Sequence, residues 1–179
     1  CGAHQQMSQF SSSYKDVDRV NITSKYTYDR KVHFRDCINQ YQGKQNCSID
    51  SKIYDDLETT FKNYGLLVES DDRLVRFRNI TKKHILMFLK ELGYAKHYEN
   101  VNLIYFTISG KKPDDISHLE EKLLSDFGLL VETYDKNFKK DVDRVNFIST
   151  QFVFYQLLRK YKHPCKKEDF VILKTMDRQ

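Results

Sequence analysis

Two groups of residues in this 179-residue chain have types and spacings that could do chemistry, and the first lies at the N-terminus. Cys1 and His4 form a C-x-x-H pair, which is compatible with half of a zinc site. A tetrahedral zinc ion needs four ligands, so the pair alone predicts only a remnant. The other cysteines are scattered and form no CxxC pair; they are Cys37, Cys47 and Cys165. This usage does not indicate a disulfide framework and favours a reducing, intracellular location.

The second group is a run of basic residues at the predicted C-terminal end of the last helix. Its members are Arg159, Lys160, Lys162, His163, Lys166 and Lys167. The helix dipole stabilises cations there, but six basic residues within nine positions are more than the dipole requires. The run indicates either a solvated helix end or a surface for phosphate or an acidic protein. Lys82 and Lys83, at the start of an earlier helix, form a smaller basic group.

The chain contains no motif that predicts catalysis. It lacks GxSxG, HExxH and a glycine-rich phosphate loop. Its paired aspartates, at 55–56, 71–72 and 114–115, lie in loops or near predicted helix starts, where Asp commonly caps helices. The net charge of +5 permits a nucleic-acid partner without requiring one. Because the catalytic motifs are missing, we expect a non-enzymatic protein. No stretch approaches 18 apolar residues, so we expect no membrane span.

The elements that position these residues are predicted to be helices. Only 2 Pro and 6 Gly occur, which is too few for the frequent tight turns of an all-β sandwich. From residue 31 onward, apolar residues recur at three- and four-residue spacing and indicate about six helices. We therefore predict an all-α fold, with residues 1–30 as an extended N-terminal arm and residues 31–179 as one compact helical domain. The alternation of charged and apolar residues at 71–79 fits either a short β-ribbon or a connector.

Particular residues are predicted to start the helices. The expected N-caps are Ser51, Thr81, Ser117 in a capping box with Glu120, and Asn146. Asn146 belongs to the heptapeptide KDVDRVN, which occurs at 15–21 and again at 140–146. The sequences that follow the two copies do not align well, so the repeat does not indicate a duplicated domain. We predict a structural role for both copies.

A series of short motifs follows one order along nearly the whole chain. It begins with Cys1-Gly2 and ends with Leu173-Lys174-Thr175. Between these ends lie Arg30, His33-Phe34, Gln40-Tyr41-Gln42-Gly43, and then Arg144, Asn146 and Phe147 ahead of the last helix. The succession of these motifs, more than any one of them, resembles the viral late transcription factor 3 family of poxviruses and other large DNA viruses.

The resemblance implies a larger protein that binds zinc. Members of that family carry an N-terminal zinc ribbon, and Cys1-Gly2 resembles its last knuckle. Zinc is therefore expected in the full-length protein, with Cys1 as a remnant ligand within the arm at residues 1–30. The first three ribbon cysteines are absent and the chain stops soon after Lys174, which indicates a piece of a longer polypeptide.

The resemblance also implies a function. We expect a non-enzymatic factor for late viral gene expression that works with the viral RNA polymerase and other late transcription factors. Promoter DNA is a further expected partner, contacted through the basic groups at Lys82, Lys83 and 159–167. The implied location is the viral factory of the host cytoplasm, with packaging into the virion as an option. The alternative is a structural or scaffold protein-interaction module of a large DNA virus, without nucleic-acid binding.

Overall fold

Helices account for all the regular structure in residues 29–137 and 149–170, the part of the chain that the computed structural model describes. The α-helices are α1 (29–41), α2 (Ser51–Asn63), α3 (Arg73–Arg76), α4 (Lys82–Glu91), α5 (Val101–Ser109), α6 (Glu120–Asn137) and α7 (Thr150–Lys160). Three 3-10 turns cover Ala95–Asn100, Ser117–Leu119 and Lys167–Asp169. No strand occurs in these ranges, so the all-α prediction is confirmed. None of the described helices is both long enough and apolar enough to cross a membrane.

Helix α4 begins after Thr81, the N-cap that the sequence predicts, and Thr81 takes part in a capping box. The Thr81 hydroxyl accepts a hydrogen bond from the His84 N–H at 3.2 Å, and His84 Nδ1 accepts from the Thr81 N–H at 3.1 Å. His84 thus takes the place that Glu or Gln usually fills in this motif. Helix α2 begins one residue differently from the prediction. Its N-cap is Asp50, which accepts from the Lys52 N–H at 3.0 Å, and Ser51 is the first helical residue.

Two predicted caps are wrong. Ser117 starts a 3-10 turn without a side-chain cap, and its own N–H donates to the Asp115 carboxylate at 3.0 Å. Asp115 therefore takes over the stabilising role that the predicted Ser117–Glu120 box assigned to Ser117. Helix α7 has Ser149 at its N-cap position, so the predicted cap at Asn146 is also wrong. Asn146 itself lies outside the described residues, as do both KDVDRVN copies.

The segment at 71–79 forms the single helical turn α3, so a β-ribbon there is excluded. Asp72 caps this turn by accepting a hydrogen bond from the Leu74 N–H at 3.0 Å. The turn buries Phe77, which is 5% exposed, and leaves Leu74 half exposed. The apolar residues of this segment therefore do not share one buried face, which a strand would have needed.

The buried side chains form two clusters. The first cluster joins α1, α6 and α7 with Phe170 of the last described turn. At its centre the Phe34 ring stacks on Phe127 with ring centroids 4.2 Å apart, and Phe154 meets Phe34 edge-on at 5.6 Å. The second cluster joins α2, α4 and α5 with the loop residues Phe77 and Ile80. Each cluster is an apolar core of its own, and contacts between them decide their relative position.

The end of α1 supplies part of that connection. Within the first cluster, Gln42 is 1% exposed and its Oε1 accepts a hydrogen bond from the Ile116 N–H at 3.1 Å, which fixes the end of α1. The next residue, Gly43, has φ +64° and lies so close to α5 that an added Cβ would sit 3.3 Å from the Phe106 ring. A side chain at position 43 would therefore strain the backbone and crowd α5 at once.

Candidate partner-binding surface

Lys82, predicted to lie on a binding surface, belongs to an internal ion pair. Its Nζ is 2.6 Å from Asp169 Oδ1, and the two side chains are only 11% and 17% exposed. The same ammonium group lies 5.0 Å from the centre of the Phe106 ring, within reach of a cation–π interaction. Because Lys82 starts α4 and Asp169 follows α7, this pair joins the two clusters.

We define the clasp as residues 166–170, which hold the two clusters together. The second carboxylate oxygen of Asp169 accepts from the Lys166 N–H at 3.0 Å. The Asp169 carbonyl accepts from the Asn102 side chain of α5 at 3.1 Å. Phe170, 3% exposed, stacks on Tyr41 in the first cluster with ring centroids 5.4 Å apart. Two consecutive residues of the clasp therefore contact different clusters: Asp169 contacts the second and Phe170 packs in the first.

His163 also has internal partners, and its side chain is 13% exposed. Its Nε2 lies 3.1 Å from the Tyr41 hydroxyl and 3.5 Å from Asp114 Oδ2. The Tyr41 hydroxyl donates to Asp114 at 3.1 Å. Burial, reinforced by the Asp114 charge, raises the pKa of Tyr41 far above its usual value. The hydroxyl therefore stays protonated, and this network connects α1 to the segment that follows α7.

Lys160 is partly neutralised by a carboxylate of α6. Its Nζ lies 2.9 Å from Asp126 Oδ2, and the Tyr161 hydroxyl donates a short hydrogen bond to the same oxygen. The Tyr161 hydrogen bond, followed by that of Lys160, lowers the pKa of the Asp126 carboxyl. Lys160 is 59% exposed, so this pair contributes little to stability but reduces the positive charge of the run.

The remaining cations of the predicted surface are exposed; they are Lys83, Arg159, Lys162, Lys166 and Lys167. Lys162 closes α7 in the left-handed conformation, with φ 57°. Its N–H donates to the Arg159 carbonyl at 2.9 Å, and the next N–H, of His163, donates to the Leu158 carbonyl at 3.0 Å. This is a Schellman motif with Lys in the place that glycine usually fills. It fixes the direction in which the chain leaves α7.

The described family-motif residues have different positions. Phe34 lies at the centre of the first cluster, fully buried. Arg30 forms an ion pair with Asp135 at 3.2 Å, which fastens α1 to α6, and the two side chains are 15% and 16% exposed. His33 is exposed on α1. Cys1, His4, Arg144, Asn146, Phe147 and Lys174 lie outside the described residues, so their roles stay predictions.

A cleft of about 620 Å³ lies next to the clasp, and sequence reasoning missed it. Its lining includes Lys82 and Lys166 but also Arg78 and Lys111, which are exposed. Arg78 stands in the charged stretch at 71–79, which is the one hint that the sequence offers. Nothing in the sequence pairs it with Lys111, because their proximity depends on how α4 packs against α5.

Comparison with known proteins identifies the family. Residues 21–179 match the family described as Poxvirus Late Transcription Factor VLTF3 like. The chain therefore belongs to this family, which confirms the resemblance found in the sequence. No solved structure matches the chain.

Relatives occur in several large DNA viruses. "Putative transcription factor 282R" of Invertebrate iridescent virus 6 is 53% identical over 178 residues, covering 94% of this chain and 46% of the relative. "Putative transcription factor 001R" of Frog virus 3 is 39% identical, covering 79% of this chain and 53% of the relative. "Putative transcription factor R429" of Acanthamoeba polyphaga mimivirus is 28% identical over 80% of this chain. The chain thus spans about half the length of the iridescent virus relative.

The Lys82–Asp169 ion pair can be tested by removing one charge. Lys82→Met leaves the Asp169 carboxylate mostly buried without its cation, so the free energy of unfolding should fall by about 2–3 kcal/mol, between the values for exposed and fully buried pairs. Lys83→Met, at the exposed neighbouring position, should change it by less than about 0.5 kcal/mol. Urea unfolding of both variants measures this difference. Equal small effects would show that the ion pair does not hold the clusters together.

The left-handed residue at the end of α7 gives a second prediction. Lys162→Gly relieves the steric cost of positive φ and should raise the free energy of unfolding by about 0.5–1 kcal/mol. Lys166→Gly is the matched control, because Lys166 has φ −113° and gains no such relief. That variant should be destabilised, since glycine adds freedom to the unfolded chain. Loss of stability in Lys162→Gly would contradict the assigned backbone conformation.

Proposed function

We propose that this chain is the helical part of a viral late transcription factor that acts with the viral RNA polymerase and other late factors. The observation that carries the proposal is the family match over residues 21–179. The relatives named as transcription factors come from iridescent viruses and from mimivirus, which supports a role in viral transcription. The proposed role is binding without catalysis, and its place is the viral factory of the host cytoplasm, with carriage in the virion.

We propose zinc binding only for the full-length protein. Within residues 29–137 and 149–170, no group of three or more His, Cys, Asp or Glu side chains could hold a metal ion. Cys37 is a poor ligand, because burial raises the pKa of its thiol to about 12. The described residues therefore do not fit a zinc site. The proposed ribbon uses Cys1 together with residues outside this chain.

We propose promoter DNA as a further partner, contacted by the exposed end of α7 and the clasp. Arg159, Lys162 and Lys167 are exposed there, and Lys166 lies no closer than 3.9 Å to Glu168. At that separation Lys166 keeps its capacity to donate hydrogen bonds to phosphate. The exposed cations lie within the nine positions 159–167, which suits contact with a phosphate backbone.

A scaffold role without DNA contact is the second candidate, and a specific observation favours it. Three residues of the predicted basic surface have internal partners, namely Lys82, Lys160 and His163. The basic surface is therefore smaller than the sequence implies. An acidic face of a protein would then bind the exposed cations in place of phosphate.

Association with polymerase is tested by purifying the tagged full-length protein from infected cells. We expect viral RNA polymerase subunits to accompany it after nuclease treatment, because nuclease removes partners that are joined only through DNA. A version that lacks residues 29–170 is the control. Absence of polymerase subunits from the nuclease-treated eluate would contradict the proposed function.

DNA contact is tested by the salt dependence of duplex binding. If Lys162 and Lys167 each contact a phosphate, Lys162→Glu/Lys167→Glu should reduce the slope of log K against log salt by about 2, since each phosphate contact contributes roughly 0.9. The control is Lys52→Glu/Lys96→Glu, which makes the same change of charge at exposed positions elsewhere. Equal slopes for the two double variants would exclude this end of the molecule as the DNA contact. No duplex binding at low salt would leave the scaffold role.

A further inference from the structure

The cleft beside the clasp contains cations to which no role has been assigned. Its lining comes from the residues before and at the start of α4, from α5 and the loop after it, and from the segment that follows α7. It therefore lies where the two clusters meet. Its volume of about 620 Å³ falls within the usual range for ligand sites.

Three carboxylates line the cleft, namely Asp114, Glu168 and Asp169. Asp169 receives Lys82 Nζ at 2.6 Å on one oxygen and the Lys166 N–H on the other. Asp114 accepts from the Tyr41 hydroxyl at 3.1 Å and lies near the imidazole of His163. Asp169 is therefore committed to the contact between the clusters, Glu168 lies 3.9 Å from Lys166 Nζ, and Asp114 is the remaining negative charge of the lining.

Within the described residues, the other three lining cations are not held in tight ion pairs. Arg78 forms no ion pair with any carboxylate in the described ranges, and it is exposed. Lys111 Nζ donates to the Tyr105 hydroxyl at 3.0 Å, a neutral partner that leaves its charge uncompensated. Lys166 is 79% exposed, and its Nζ lies 3.9 Å from Glu168 in a weak surface ion pair. The cleft therefore offers one guanidinium and two ammonium groups to a ligand.

This set of donors fits phosphate. A guanidinium group can donate two parallel hydrogen bonds to phosphate oxygens, and ammonium groups add charge from other directions. The positive end of the α4 dipole adds to the attraction, because Thr81 and Lys82 also line the cleft. Lys166 belongs both to the cleft and to the basic end of α7, with Lys162 and Lys167 beyond it. A ligand with several phosphates in a row would use this whole series, whereas a single phosphate would not.

We propose that this cleft binds the phosphodiester backbone of a nucleic-acid strand, with Arg78, Lys111 and Lys166 as the phosphate contacts. The choice of nucleic acid rests on the proposed role in transcription. The assignment of the contact residues rests on the geometry alone. Lys111 exchanges its hydrogen bond to Tyr105 for one to a phosphate oxygen when the strand binds.

The test is fluorescence anisotropy of the full 179-residue chain with a labelled 20-nucleotide single strand, and with the matching duplex, between 50 and 200 mM salt. Arg78→Gln and Lys111→Gln should each weaken single-strand binding roughly tenfold, as expected for loss of a charge-assisted hydrogen bond. Each should also reduce the salt slope by roughly 0.7. Lys112→Gln, at an exposed residue that does not line the cleft, should bind within about twofold of the unchanged chain. Arg78→Lys should recover part of the affinity, because the charge is kept.

The outcomes separate the inference from the function it rests on. If Arg78→Gln and Lys111→Gln behave like Lys112→Gln, the cleft assignment is overturned even if the chain binds DNA elsewhere. If inorganic phosphate or ATP at millimolar concentration displaces the strand completely, the cleft takes a free phosphate ligand and the inference is overturned. A preference for duplex that none of the cleft variants alters would place DNA on the end of α7. Polymerase association is measured independently and is unaffected by any of these results.

Discussion

The ion pair between Lys82 and Asp169 is the contact on which the arrangement of the two clusters depends. Each cluster buries its own apolar side chains, so hydrophobic burial alone does not fix how the clusters sit together. An ion pair with both side chains less than one fifth exposed does so, because charges away from water tolerate little change of geometry. The hydrogen bond from Asn102 and the stacking of Phe170 on Tyr41 reinforce it. The position of the clasp, and with it one boundary of the cleft, follows from this contact.

The same contact changes how the charge of the chain should be understood. Basic residues that look equivalent in the sequence divide into those that hold the structure together and those that face solvent. Lys82 and His163 belong to the first kind, and Lys162 and Lys167 to the second. Arg78 and Lys111 join the second kind without being part of the predicted basic surface. The surface presented to a partner is therefore set by packing more than by the order of basic residues along the chain.

Local features of the fold could be predicted from the sequence because they depend on neighbouring residues. Thr81 caps α4 through His84, three positions away, and the helical spacing of apolar residues identified α4 and α5. The role of Lys82 could not be predicted, because its partner lies 87 positions further along the chain. The turn at Arg73–Arg76 was ambiguous because four residues are too few to establish a period. The cleft was missed for the same reason as the ion pair, since segments distant in sequence form it.

The order of the helices has a consequence for how the chain folds. The second cluster draws its buried residues from one continuous stretch, residues 53–108. The first cluster is split around it, since α1 precedes that stretch and α6 and α7 follow it. Contacts such as that between Tyr41 and His163 close a loop of more than a hundred residues, and long loops slow the formation of contacts. During synthesis on the ribosome, the second cluster can therefore form before α6 and α7, the packing partners of α1, have been made. Until α6 and α7 emerge, the apolar face of α1 is open to other proteins, and chaperones are the expected first proteins to bind it.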